Sequence, residues 1–146
     1  MDGGWRIKPP PDAFDRSWEL SVRKKILVCD DDPLLLDLVQ FKLTARGYDS
    51  SAARDGGEAM AALAEQAPDA VVLDAMMPVL DGYEVLRRIR ENPEFAELPV
   101  IMLTARRQEQ DVLSALQLGA NDYMVKPFSP EELVARLGRL LEAAPE

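Results

Sequence analysis

Five side chains able to do chemistry stand at the ends of four short apolar runs. Asp30 and Asp31 follow "KILVC", Asp74 ends "DAVVLD", Thr104 ends "PVIMLT" and Lys126 ends "NDYMVK". Three carboxylates gathered in one place repel each other and call for a cation. An oxygen-only set suits a hard ion such as Mg²⁺, which takes one or two carboxylates together with waters and a phosphate. A lysine ammonium and a threonine hydroxyl beside that ion would stabilise a phosphoryl group in transfer. A carboxylate can also accept the phosphoryl group itself. Asp74 is the candidate acceptor, because its run lies between the others. Asp32, next to the acidic pair and directly before Pro33, is read instead as the N-cap of a helix.

Composition narrows the chemistry further. The chain has 146 residues, enough for one domain with a sizeable core. It has no histidine, which excludes Ser-His-Asp and Cys-His centres and His-ligated zinc. A net charge of -9 argues against direct binding to nucleic acid or an anionic membrane. No apolar run approaches a bilayer span, and "MDGGWRIKPPP" lacks the apolar core of a secretory signal. Cys29 is the one cysteine, so no internal disulfide forms, and a cytoplasmic location is expected. Its expected role is that of a small buried hydrophobe.

These residues need elements to hold them. Short apolar runs alternate with amphipathic ones from Lys24 onward. Strands are expected at 25–29, 48–53, 69–74, 99–104 and 121–126, and a helix after each. Pro33 opens the first helix and Gly47 lies past its end. Asp55 is a candidate N-cap, and Asp81 with Glu84 and Ser129 with Glu132 have capping-box spacing. Such alternation predicts an α/β fold, a doubly wound five-stranded parallel sheet of order 2-1-3-4-5. That order makes the four functional strands neighbours and brings their carboxyl ends to one rim. Residues 1–23 read as a Pro-rich leader carrying Trp5, Phe14 and Trp18, residues 24–143 as the domain, and 144–146 as a tail.

Four motifs in order, each at a strand end, carry a resemblance: Asp30-Asp31, "DAMMPVLDG" from Asp74, "LTA" at Leu103 to Ala105, and "KPF" at Lys126 to Phe128. The chain resembles the CheY-like receiver domain of two-component response regulators over about 24–141. The resemblance implies that Asp74 takes a phosphoryl group from a phosphohistidine of a sensor histidine kinase or a histidine phosphotransfer protein. It implies Mg²⁺ held by Asp30, Asp31, Asp74 and the backbone carbonyl of Met76. Lys126 would contact the phosphoryl oxygens, and Met76 and small Ala105 would rim the pocket. Thr104 and Tyr123 would be the coupled switch, the Lys126-Pro127 bond would be cis, and Arg106 with Met76 would tune hydrolysis of the acyl phosphate.

The block from Leu103 to Leu137 looks most like OmpR/PhoB-type and diguanylate-cyclase-linked receivers. In the former, the fourth helix, fifth strand and fifth helix form a homodimer. Asp122, Glu132 and Arg136 match that pattern, whereas Val112 and Asn121 depart from it. With only "AAPE" after the last helix, a stand-alone regulator acting on a downstream protein is expected. Such a protein would catalyse only its own phosphorylation and dephosphorylation. Two other readings stand beside this one. An aspartate-nucleophile phosphatase of the haloacid-dehalogenase type would want Asp-x-Asp, a following Thr and a cap. A phosphorylation-independent scaffold would more often have lost one of the acidic or basic groups.

Overall fold

Alternation along three buried strands builds two cores, one on each face of a single sheet. The structure is a computed structural model and describes residues 23–105 and 109–143. The leader up to residue 22, Arg106 and the tail at 144–146 lie outside the described residues. The strands are β1 (Lys25–Cys29), β2 (Asp49–Ala53), β3 (Ala70–Asp74), β4 (Val100–Thr104) and β5 (Asp122–Val125). All pairings are parallel, in the order β2-β1-β3-β4-β5. The helices are α1 (Pro33–Ala45), α2 (Gly56–Glu65), α3 (Gly82–Glu91), α4 (Glu109–Gln117) and α5 (Pro130–Ala143).

Leu27, Cys29, Val71, Leu73, Val100 and Met102 face one way and meet Leu63 of α2, Leu86 of α3 and Ala115 of α4. Ile26, Val28, Val72, Ile101 and Leu103 face the other way and meet Val39 of α1 and Leu137 of α5. Side chains on a strand point to opposite faces in turn, so a run of apolar residues is needed where both faces are covered. β2 lies at the edge and is the polar strand, "DSSAA", as expected there.

Several elements start or stop one or two residues inside the expected bounds. Tyr48, Asp69, Pro99 and Asn121 precede their strands, and Lys126 follows β5, although its N–H still donates to Thr104 O at 2.8 Å. The first helix ends at Ala45, and Gly47 takes the left-handed conformation (φ 88°) that lets Tyr48 N–H reach back to Leu43 O.

Asp32 and Asp55 cap as expected, with Asp32 accepting from Leu34 N–H and Asp55 from Glu58 N–H. The other two boxes are only half closed. Asp81 accepts from Glu84 N–H and Ser129 from Glu132 N–H. Glu84 then pairs with Arg87 and Arg88, and Glu132 with Arg136. A guanidinium one turn along offers the carboxylate a charged donor, which outcompetes a single backbone N–H.

Arg90 ties the far side of the sheet together. Its guanidinium donates to Gly119 O at 2.8 and 2.9 Å, to Phe95 O at 3.0 Å and to Asn121 Oδ1 at 3.0 Å. Asn121 Oδ1 also accepts from Val100 N–H at 2.8 Å. Asn121 therefore works inside the fold, joining α3 to β4. Arg90→Met should lower stability by about 2 kcal/mol in urea unfolding, since three carbonyl oxygens lose a charged donor. Arg90→Lys should restore little, because an ammonium cannot span all three. Equal midpoints for Arg90→Met and the parent would refute this role.

Candidate functional site

The end of β1 turns Asp30 inward. Asp30 is fully buried, while Asp31 and Asp32 are exposed. Asp30 N–H donates to Ala53 O at 3.0 Å, which extends the β1–β2 ladder by one residue. Its Oδ1 accepts from Asp32 N–H at 2.9 Å. That bond closes the turn which frees Asp32 to cap α1.

β3 delivers Asp74, 4 % exposed, beside Asp30. Each of Asp30, Asp31 and Asp74 offers a carboxylate oxygen lying within 4.8 Å of the others. Lys126 enters from the end of β5. Its Nζ is 2.8 Å from Asp30 Oδ2 and 3.4 Å from Asp74 Oδ1. The Lys126-Pro127 bond is cis. Thr104, 5 % exposed, closes β4 between the strands that carry Asp74 and Lys126. Ala105 follows it and is exposed.

The turn after Asp74 is held from two sides. Gly82 N–H donates to Ala75 O at 2.9 Å, and a Cβ on Gly82 would lie 2.2 Å from Asp74 O. Gly56 N–H donates to Pro78 O at 3.1 Å, and a Cβ there would lie 2.2 Å from Leu80 O. Only glycine permits either approach. Sequence reasoning gave Gly56 no role, since its contacts with Pro78 and Leu80 join different elements; Gly82 was visible only as the end of the motif that begins at Asp74. Met76 and Val79 project from this turn at 59 % and 76 % exposure, and Met77 is buried. Val79 holds φ at 73°, a strained value for a β-branched residue.

Charge is poorly balanced in this pocket. Burial, and then the nearby Asp30 carboxylate, push the Asp74 carboxyl up to about 6, against the opposing pull of Lys126 and the Met76 backbone. Burial alone would lower the Lys126 pKa, but Asp30 and Asp74 outweigh it and hold the ammonium above its ordinary value. The Lys126 ammonium is the charged partner of the buried Asp30 Oδ2. One ammonium among three carboxylates, with no neutral nitrogen or sulfur ligand in the cluster, leaves negative charge that a small hard cation fits.

Tyr123 lies on β5 opposite Met102, half-buried against the α2–α4 core. The groups expected at a dimer face close within the chain. Arg136 reaches Asp122 at 3.1 Å and Glu132 at 2.6 Å. Among the described residues, no helix is long and apolar enough to cross a membrane.

The family model described as the response regulator receiver domain matches residues 26–138. The alkaline phosphatase synthesis transcriptional regulatory protein PhoP of Bacillus subtilis is 45% identical over 120 residues, covering 82% of this chain and 49% of that protein. The transcriptional regulatory protein TrcR of Mycobacterium tuberculosis is 48% identical over 117 residues, 80% of this chain and 45% of that one. The chain thus spans about half the length of these curated relatives. The receiver domain of a sensor histidine kinase from Pseudomonas aeruginosa, solved with a magnesium ion coordinated in its active-site cleft, superposes with a TM-score of 0.76. It is 34% identical, and the match covers 84% of this chain and all of that one.

Proposed function

The chain belongs to the response regulator receiver family of two-component signalling, and on that premise we propose that Asp74 is its phosphoryl acceptor. The observation that carries the reading is the meeting of Asp30, Asp31, Asp74 and Lys126 at one rim, three carboxylates around a single ammonium. These matches favour neither a phosphomonoester hydrolase nor a phosphorylation-independent scaffold.

Asp74 attacks phosphorus through a carboxylate oxygen. The P–N bond to the donor imidazole breaks, and the nitrogen keeps the electron pair and takes a proton from solvent. Lys126 follows the charge from the carboxylate to the phosphoryl oxygens, and the Thr104 hydroxyl donates to one of them. Small Ala105 leaves the entrance clear. Mg²⁺, held by Asp30, Asp31, Asp74 and the Met76 carbonyl, would neutralise carboxylate and phosphoryl oxygens together. Tyr123 would follow a movement of Thr104; the register that pairs Thr104 with Val125, two positions past Tyr123, supports this.

Receiver domains of response regulators interact with histidine kinases, and a docking face stands beside the rim. Leu34, Leu38 and Phe41 of α1 are 78 %, 45 % and 69 % exposed at helical spacing. Apolar patches of this kind mark protein contacts. Leu38→Glu should cut transfer from a phosphohistidine protein at least about tenfold, the worth of one buried anchor. Its labelling by acetyl phosphate should be unchanged. Equal loss with both donors would mean that the site itself was damaged. The negative charge of the chain agrees with protein partners rather than nucleic acid.

The direct test is incubation with acetyl phosphate. A hydroxylamine-labile phosphoryl group should form with Mg²⁺ and fail to form when EDTA is present from the start. Equal labelling with EDTA present throughout, or continuous turnover of phosphate monoesters, would overturn the reading.

A further inference from the structure

We propose, on the reading of Asp74 as acceptor, that Met76 is a site of reversible oxidation by peroxide and that its sulfoxide shortens the life of the phosphoryl group on Asp74. Burial sorts the sulfur atoms of the described residues. Met76 is 59 % exposed, against 8 % for Met77, 0 % for Met102 and 4 % for Met124. Met60 is half-buried against the α2–α4 core, and the Cys29 thiol is wholly buried. Peroxide must meet the sulfur lone pair, so the exposed thioether reacts first.

Position gives that oxidation a consequence. Met76 N–H donates to the Asp74 carboxylate, so the residue touches the acceptor. The turn that carries it is pinned by Gly82 N–H on Ala75 O and by Gly56 N–H on Pro78 O. Ala75 and Met77 are held in the core on either side, and the Met76 side chain is left outside.

With hydrogen peroxide, the sulfur lone pair attacks one oxygen, and the S–O bond forms as the O–O bond breaks. The departing hydroxide takes the proton from the transferred oxygen and leaves as water. Sulfur is oxidised and the peroxide is reduced. A thioether is apolar and a weak acceptor, whereas the sulfoxide puts a polar oxygen on the same flexible stem. Hydrolysis of an acyl phosphate needs a water at phosphorus, and an acceptor beside that water orients it and draws on its proton. The sulfoxide supplies such an acceptor beside Asp74, where the side chains of Met76 and Ala105 otherwise offer only apolar surface.

The test treats the full chain with hydrogen peroxide and maps the oxygen by mass spectrometry of its peptides. Met76 should gain oxygen severalfold faster than Met77, Met102 or Met124. After loading from acetyl phosphate, the oxidised protein should lose its phosphoryl group severalfold faster than the untreated one. Methionine sulfoxide reductases for both sulfoxide epimers should restore the original lifetime. In Met76→Leu, peroxide should leave the lifetime where it stood. Even oxidation across the methionines, an unchanged lifetime once Met76 is oxidised, or the same acceleration in Met76→Leu would sink the proposal. A chain that takes no label before peroxide refutes the reading of Asp74 itself; normal labelling with a lifetime blind to peroxide refutes only the role of Met76.

Discussion

Asp74→Asn abolishes phosphoryl incorporation from acetyl phosphate and at the same time makes the Mg²⁺-free protein more stable at neutral pH. The first effect follows from chemistry, since a neutral amide cannot provide the attacking oxygen. The second follows from burial. The folded Asp74 carboxyl titrates near 6 instead of 3.8, so the native state binds its proton more tightly than the unfolded chain does. That preference stabilises the fold fully below the ordinary carboxyl pKa. It is lost as pH rises from about 4 through about 6, and above that the ionised group is a net cost. A rise of about two units corresponds to roughly 3 kcal/mol at most, and access of water to the rim reduces this to about 1–2 kcal/mol. Urea unfolding from pH 4 to 8 without Mg²⁺ should therefore show a fall in the parent that the Asn variant lacks. Parallel pH profiles, or labelling of the Asn variant at the parental level, would remove Asp74 from the proposed role.

Lys126→Met should act in the opposite direction. The ammonium is the one cation placed between Asp30 and Asp74 among the described residues. Its pKa is raised, so its contribution is complete at neutral pH and would be lost only as pH climbs past that of a free lysine. Methionine keeps the apolar stem and removes the charge, leaving a fully buried Asp30 carboxylate uncompensated. Breaking a buried pair from one side costs about 3–5 kcal/mol; partial exposure of Lys126 brings the expected loss nearer 2–3 kcal/mol. Adding Asp30→Asn should recover much of it, with a coupling energy of at least about 1 kcal/mol in the double-mutant cycle. Additive effects would show that the two groups act independently. The loss should also shrink with Mg²⁺ present, because the same carboxylates then have another cation.

The sheet and its rim were legible because strand burial and strand-end chemistry are local. "KILVC", "DAVVLD" and "PVIMLT" are apolar on both faces, and each ends in or beside a polar group with no place in a core. Asp32 beside Pro33 announced its cap for the same reason. What escaped the sequence depends on partners brought together by folding. Glu84 and Glu132 had the spacing to close capping boxes, but each had an arginine within a turn. Asn121 read only as a departure from the charge pattern of a dimer face; only the fold shows Arg90 and Val100 converging on it. The two glycines that hold the turn after Asp74 meet Leu80 and Asp74 across the tertiary structure. The in-chain pairing of Arg136 with Asp122 and Glu132 likewise needed coordinates.

Cys29 sits in the middle of this arrangement, wholly buried in β1 and one residue from Asp30. Burial, and then the adjacent carboxylate, push its thiol far above the usual range, so almost none of it is thiolate. A thiol reagent can reach it only when the first strand leaves the sheet. The chain thus carries a built-in clock for its rarest excursions. As the sole sulfhydryl, its alkylation rate in plain buffer measures how often the first strand opens, and how far a bound cation or phosphoryl group slows that opening.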